Sequence, residues 1–477
     1  MSRDIELFIK NYLNEINENN AAIFAGAGLS TAVGYVNWKE LLRPLAEEIE
    51  LDIERESDLV SVAQYHLNDN GRHKINQQLI SEIATNREPS DNHKILSRLP
   101  ISTYWTTNYD KLIEKSLEDF DKIVDVKYTN MHLAMTKPKR DAVVYKMHGD
   151  IDHPDTAVLT KDDYERYVIE HGPYVNALSG DLISKTFLFL GFSFTDPNLD
   201  YIMSRVRIHF KEHQRQHYCI FKKCNENEFR DKSSYQHAQI KQRLVINDLK
   251  RFQIKTLLVD EYSDITNILS RIEKNYRQKS IFLSGSAYEY GQWKRTDVEH
   301  FLCRLGETLV QKGYKISSGI GLGIGNAFIT GAINAVYGFH KSQINEYLTM
   351  RPFPQYIEDT EKRKETWSKY RYEIIGTAGI AIFFIGNKQV DGKVVLADGM
   401  LEEFNIAKRL GLSLIPIGCS GYMANELWND VVENVTSFYE KPSDSLVNAL
   451  KELGEPVDKP EQLISKIIDV IDIVTTE

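Results

Sequence analysis

Four short stretches carry side chains that could do chemistry together. They are "GAGLS" (residues 26–30), "TTNYD" (106–110), "KMHGD" (146–150) and "GFSFTDPN" (191–198). Small residues in the first and last let a backbone approach a pyrophosphate near a helix start. The Asn108 carboxamide can donate and accept, so it can orient a ribose or a water. An imidazole is the side chain best suited to general-base work, which makes His148 a candidate. Each stretch also has a plain structural reading. Gly-Ala-Gly makes a strand-to-helix turn, Thr-Thr-Asn a cap or Asx turn, and Asp196-Pro197 a helix start. The chemical reading rests on the four occurring together, in this order, each after an apolar run.

Those runs are the elements that must position them. "AAIFAG", "TYWTTN", "AVVYKM", "TFLFLGFS", "HYCIFKK" and "IKTLLVD" read as strands, and amphipathic stretches such as "WKELLRPLAEEIE" and "NLDYIMSRVRIHF" lie between them. Strands alternating with helices predict a parallel sheet covered on both faces. The charged stretch 225–251 reads as a helical insertion before the last strand. The stretch "LVSVAQYHLNDNGRHKINQQLISEIA" is expected to cap the cleft. Near residue 279 the pattern restarts, with "SIFLSGSA", then "DVEHFLCRLGETLVQKG", "GIAIFFIGNK" and "MLEEFNIAKRLGLSLIPIGC". Two Rossmann-like, doubly wound α/β domains are therefore expected, over residues 1–278 and 279–477.

In the second half, strands again end in small residues, at "FLSGSA" (282–287) and "SSGIGLGIG" (317–325). With Arg371 and Lys388 these loops could hold phosphates. Glu403 could accept a pair of ribose hydroxyls.

The 477 residues are 42% hydrophobic and 26% charged, with a net charge of -10. That balance disfavours a general nucleic-acid binder. No apolar run reaches the roughly 18 residues of a membrane span, and the N-terminus has no signal-peptide core. The chain reads as soluble and cytoplasmic, with neither nucleic acid nor membrane as partner.

The order Gly-Ala-Gly-x-Ser, Thr-x-Asn-x-Asp, His-Gly, Gly-x-Ser resembles the sirtuin fold of NAD-consuming enzymes over roughly residues 10–275. The resemblance implies that Ala25, Gly26, Ala27, Gly28 and Ser30 line the NAD pyrophosphate. It sets Asn108 and Asp110 at the nicotinamide ribose, His148 as general base, and Gly191 and Ser193 at the adenosine end. Sirtuin deacylases carry Gln before the Asn and two Cys-x-x-Cys pairs after the His-Gly. Here Thr107 precedes Asn108, and the four cysteines (219, 224, 303, 419) form no such pair. A structural zinc site needs four suitably spaced ligands, so no zinc or other metal is expected and water is the simpler acceptor. An NAD-dependent protein deacylase and a non-catalytic nucleotide sensor are the alternatives.

The second half resembles the SLOG superfamily, whose enzymes carry a fuller glycine motif than "LADGMLEEF" here. That departure favours sensing over catalysis. A sirtuin-like half followed by a SLOG half resembles the effectors of the Thoeris antiphage defence system. This implies NAD+ cleavage to ADP-ribose and nicotinamide, switched on by a cyclic ADP-ribose isomer from a partner TIR-domain protein. It implies a homotetramer or larger assembly. The signal would meet Ser284, Gly285, Gly321, Leu322, Gly323, Arg351, Arg371, Lys388, Gly399, Glu403 and Asn405.

Overall fold

The computed structural model describes residues 2–476 apart from 84, 86, 339–343, 351, 353, 355 and 356. The chain divides into two units, Met1–Glu273 and Lys274–Glu477. The division falls within one helix, Ser263–Arg277.

Seven strands build the first unit: β1 (Ala21–Ala25), β2 (Thr103–Thr106), β3 (Val124–Lys127), β4 (Ala142–Lys146), β5 (Thr186–Leu190), β6 (His217–Lys222) and β7 (Ile254–Val259). They form one sheet in the order β3-β4-β2-β1-β5-β6-β7, and every pairing is parallel. Helices cover both faces of such a sheet, so its inner strands read as continuous apolar runs. β1 and β5 are buried along their whole length. Six strands follow the expected segments. β3 was not anticipated: Asp125 and Lys127 interrupt its apolar pattern and pair with each other at 2.8 Å.

From β1 the chain moves to β2 on one side and later returns to β5 on the other. Ala25 is in register with both Thr106 and Leu190. The carboxyl ends of β1 and β5 therefore define the switch point of this sheet, the usual ligand position in open α/β folds. The long stretch after β1 forms helices Leu59–Asn70 and Arg72–Ile83, which turn at Gly71 (φ +77°). They share a core with helix Trp38–Glu48 and with Tyr109, the residue after Asn108. The segment expected to be an insertion carries helix Lys232–Leu249, before β7.

The second unit has a five-stranded parallel sheet. Its strands are β8 (Ser280–Ser286), β9 (Lys315–Ser318), β10 (Leu348–Met350), β11 (Ile380–Ile385) and β14 (Ser413–Pro416), in the order β10-β9-β8-β11-β14. Its switch point lies between β8 and β11. A hairpin of β12 (Asn387–Val390) and β13 (Lys393–Leu396) follows β11. Asp391 (φ +49°) and Gly392 (φ +76°) turn it, as an Asp-Gly pair favours when both central residues need positive φ.

Candidate functional site

At the switch point of the first unit two glycine turns cross in backbone contact. Gly26 N–H donates to the Leu190 carbonyl and Gly28 N–H to that of Gly191, each at 2.9 Å. A Cβ on Gly28 would stand 2.8 Å from Gly191 Cα, and one on Gly191 (φ +63°) 2.3 Å from the Leu29 nitrogen. The glycines therefore make room first for each other. Two amides expected at a pyrophosphate are already bonded within the protein. Ala27 and Gly28 form the exposed part of this turn, whereas Ala25 and Ser30 are buried.

From β2 the chain delivers Asn108 to this crossing. Asn108 Nδ2 donates to the Gly26 carbonyl at 3.0 Å and to Ser30 Oγ at 2.9 Å. Ser30 Oγ donates to Asp110 Oδ2 at 2.7 Å, and Asp110 Oδ1 accepts the Leu112 N–H at 3.0 Å. Thr106 Oγ1 donates to the Ala25 carbonyl and accepts the Asn108 N–H. With both Nδ2 hydrogens committed, Oδ1 is the carboxamide atom that can accept from a ligand. Asp110 is a buried anchor of this loop, with one hydrogen bond to each carboxylate oxygen.

β4 is in register with β2 through Lys146 and Thr106. His148 and Asn108 each follow two residues on. The His148 ring is 1% exposed, and Nε2 lies 3.2 Å from Asp196 Oδ2. Tyr164 and Tyr167 stand edge-on to the ring, with centroids at 5.5 and 6.2 Å. Asp196 also caps helix Pro197–Phe210, as its sequence context predicts. Burial pushes the Asp196 carboxyl up, but His148, the Leu199 N–H and Tyr164 outweigh it and hold it below the usual range. Ser193 is exposed and bonds Thr195 at 2.8 Å, so this structure does not bring it to the Asn108 cluster.

Lys146, the last residue of β4, is the buried charge that holds the two loops. Its Nζ donates to the carbonyls of Tyr109 (3.0 Å) and Asp110 (2.6 Å). It lies 2.6 Å from Asp150 Oδ2 and 3.1 Å from Glu114 Oε1. Burial would lower this amine, but the Glu114 and Asp150 carboxylates reverse the effect and hold it above its ordinary value. A lysine closing an otherwise apolar strand was the available signal, since such a charge is buried only when paired.

In the second unit, Ser284 Oγ donates to Glu403 Oε2 at 2.6 Å. Arg371 Nε donates to Glu403 Oε1 at 3.3 Å, and its Nη1 to Glu402 Oε2 at 2.6 Å. Burial pushes the Glu403 carboxyl up, against the pull of Ser284 and Arg371. Gly399 adjoins the same guanidinium: a Cβ there would meet Arg371 Nη2 at 2.8 Å. Gly321 and Gly323 pack on the Gly285–Ala287 backbone, which leaves Leu322 71% exposed between them. Lys388 pairs with Asp398. Asn405 does not join the cluster. Two residues along a helix face opposite ways, so buried Glu403 leaves Asn405 exposed. Arg351 lies outside the described residues. Sequence reasoning missed Asn387, whose Oδ1 accepts the N–H groups of Tyr288 (2.8 Å) and Glu289 (3.0 Å) and so pins the loop after β8.

Among the described residues no group of three or more His, Cys, Asp or Glu could hold a metal ion. No helix among them is long and apolar enough to cross a membrane. The four cysteines are free thiols.

Residues 102–242 match the family described as "SIR2-like domain", and residues 264–474 the "Sir2- and TIR-associating SLOG family". Fold and motifs thus define a protein with a SIR2-like unit followed by a SLOG unit. Over 476 residues the chain is 55% identical to "NAD(+) hydrolase ThsA" of Acinetobacter baumannii, covering 98% of this chain and 99% of that one. Over 477 residues it is 49% identical to the protein of the same name in Bacillus cereus, covering 100% and 99%. The chain belongs to the ThsA family. "Defense-associated sirtuin 2" of Bacillus subtilis is 25% identical over 207 residues, 42% of this chain and 20% of that protein.

Proposed function

We propose that this protein hydrolyses NAD+ to ADP-ribose and nicotinamide in its first unit. Its second unit would sense a cyclic ADP-ribose isomer made by a partner TIR-domain protein. The observation that carries the reading is the fixed Asn108 carboxamide at the β1/β5 switch point, with His148 on the neighbouring strand end. The names of its ThsA relatives and of the defence-associated sirtuin support hydrolysis in the service of antiphage defence. The described association of its SLOG family with TIR proteins supports the source of the signal.

In this reaction the bond between ribose C1 and the nicotinamide nitrogen breaks. Its electron pair neutralises the pyridinium. Water adds to C1 and gives up a proton. Asn108 Oδ1 accepts from the water or a ribose hydroxyl and holds it beside the developing oxocarbenium centre. His148 takes the proton. Preorganised polar groups of this kind contribute several kcal/mol to such steps.

Signal binding at Ser284, Arg371 and Glu403 would compete for a guanidinium that two glutamates now hold. The active form would be a homotetramer or larger assembly in the cytoplasm, and NAD+ depletion would end phage production. The test is NAD+ loss by the full chain with and without a cyclic ADP-ribose isomer, beside Asn108→Ala and Arg371→Ala. Signal-dependent loss that falls at least about 100-fold in Asn108→Ala supports the hydrolase. Arg371→Ala should stay folded but show no rise in NAD+ loss when the signal is added. A full response from that variant removes Arg371 from the pocket. A native chain that binds NAD+ but never consumes it overturns the hydrolase reading.

A further inference from the structure

The helix start at Asp196 contains more than a cap requires. A cap needs one acceptor, and Asn, Ser or Thr supply it about as well as Asp. Here Oδ1 alone does that work, accepting the Leu199 N–H at 2.9 Å. Oδ2 turns the other way, to His148 Nε2 at 3.2 Å and to the Tyr164 hydroxyl at 3.3 Å. The opposing imidazole is buried: Nε2 lies at ion-pair distance from Oδ2, and Nδ1 has no hydrogen-bond partner among the described residues. A buried titratable ring without satisfied bonds is costly unless its site uses it.

We infer that Asp196 is the positioning residue of His148. Its Oδ2 holds the Nε2–H side of the ring and leaves Nδ1 as the nitrogen that takes the proton. When Nδ1 is protonated, the carboxylate stabilises the imidazolium across the ring. The charge needed for this is present, because the carboxyl is held below its usual range. The aromatic groups facing the ring bring no charge. Burial raises the phenols of Tyr164 and Tyr167. His171, stacked on Tyr167 at 4.7 Å, is lowered by burial. Lys146, the last residue of β4, and Asp150, two residues past His148, are charged but engaged with each other. The unequal use of the two oxygens separates this role from a purely structural one.

The inference rests on His148 as the base, and Asp196→Asn tests it because Asn keeps the cap. The full chain, with a cyclic ADP-ribose isomer present, is assayed for NAD+ loss from about pH 5 to about pH 9, in native form and as Asp196→Asn, Asp196→Glu and His148→Ala. Asp196→Asn should melt within about 3 °C of native and keep KM within about twofold. Its kcat should fall at least about tenfold. The acidic limb of its profile should move to lower pH by about one unit or more, because the imidazolium loses its counter-charge. Asp196→Glu should restore the limb. Native kcat and an unmoved limb in a folded Asp196→Asn overturn the inference. Native activity in His148→Ala overturns the reading beneath it instead. Nitrogen-15 NMR of histidine-labelled native chain decides independently of activity. The signal missing from His148→Ala should report a ring protonated on Nε2 at neutral pH, and protonation on Nδ1 alone overturns the assignment.

Discussion

Asn108 and Lys146 show how one side chain is fixed by what surrounds its loop. The Asn108 amide is oriented by Gly26 and Ser30, and its main chain is gripped next door, where Lys146 takes the Tyr109 and Asp110 carbonyls. Removing that amine would leave the Glu114 and Asp150 carboxylates buried without their cation. Breaking a buried charge cluster from one side typically costs 3–5 kcal/mol. Lys146→Met should therefore destabilise the first unit by about 3–5 kcal/mol in denaturant unfolding. A change below about 1 kcal/mol would show that the cluster is not held as described. In sequence, Asn108 and His148 were legible as residue types at strand ends. The partners that orient them were not, because Ser30 and Asp110 lie 80 positions apart.

Two glycine turns from strands far apart in sequence form the crossing that supports the site. Gly191 has φ +63°, and its absent Cβ leaves space for the Leu29 amide nitrogen 2.3 Å from where that carbon would stand. Gly71 also has positive φ, but nothing lies within 4 Å of its would-be Cβ. Gly71→Ala should cost only backbone strain, because φ +77° with ψ 173° is a region L-residues rarely enter, about 1–3 kcal/mol. Gly191→Ala adds a backbone collision that no rotamer can relieve. It should cost at least about 3 kcal/mol and disturb the Asn108 loop. Thermal unfolding of the two variants side by side checks this, and equal losses would refute the crossing. Turn chemistry marked these glycines in the sequence. What fills the space beside them was decided by the β1/β5 register.

Across the molecule, buried histidines make folding sensitive to acid. His217 Nδ1 accepts the Phe187 N–H at 3.2 Å, a bond only the neutral ring can make. Burial lowers His217 to about 3 and His93 to about 4. The unfolded chain protonates both near 6.5. Between pH 6.5 and those values the unfolded state binds more protons, so stability rises with pH there and is lost as pH falls. Each histidine contributes a slope of about 1.4 kcal/mol per pH unit. Unfolding free energy measured from about pH 7 to pH 5 should fall steeply in the native chain. Replacing His217 with Gln should reduce the slope by about 1.4 kcal/mol per pH unit, and an unchanged slope would show that the ring is protonated in the fold.

Apolar runs and their helical spacers determined a two-sheet α/β chain, because parallel strands buried on both faces must be apolar throughout. The chain also showed which polar residues stand after those runs. It could not show β3, whose buried Asp125 and Lys127 satisfy each other only once folded. Helix phase separated Asn405 from Glu403, and packing closed Arg371 onto two glutamates. The second oxygen of Asp196, turned toward His148, likewise appears only in three dimensions. Residue type and spacing set what each group is able to do. Which neighbour satisfies a buried polar atom depends on contacts between distant segments, and those exist only after the sheets and helices have packed.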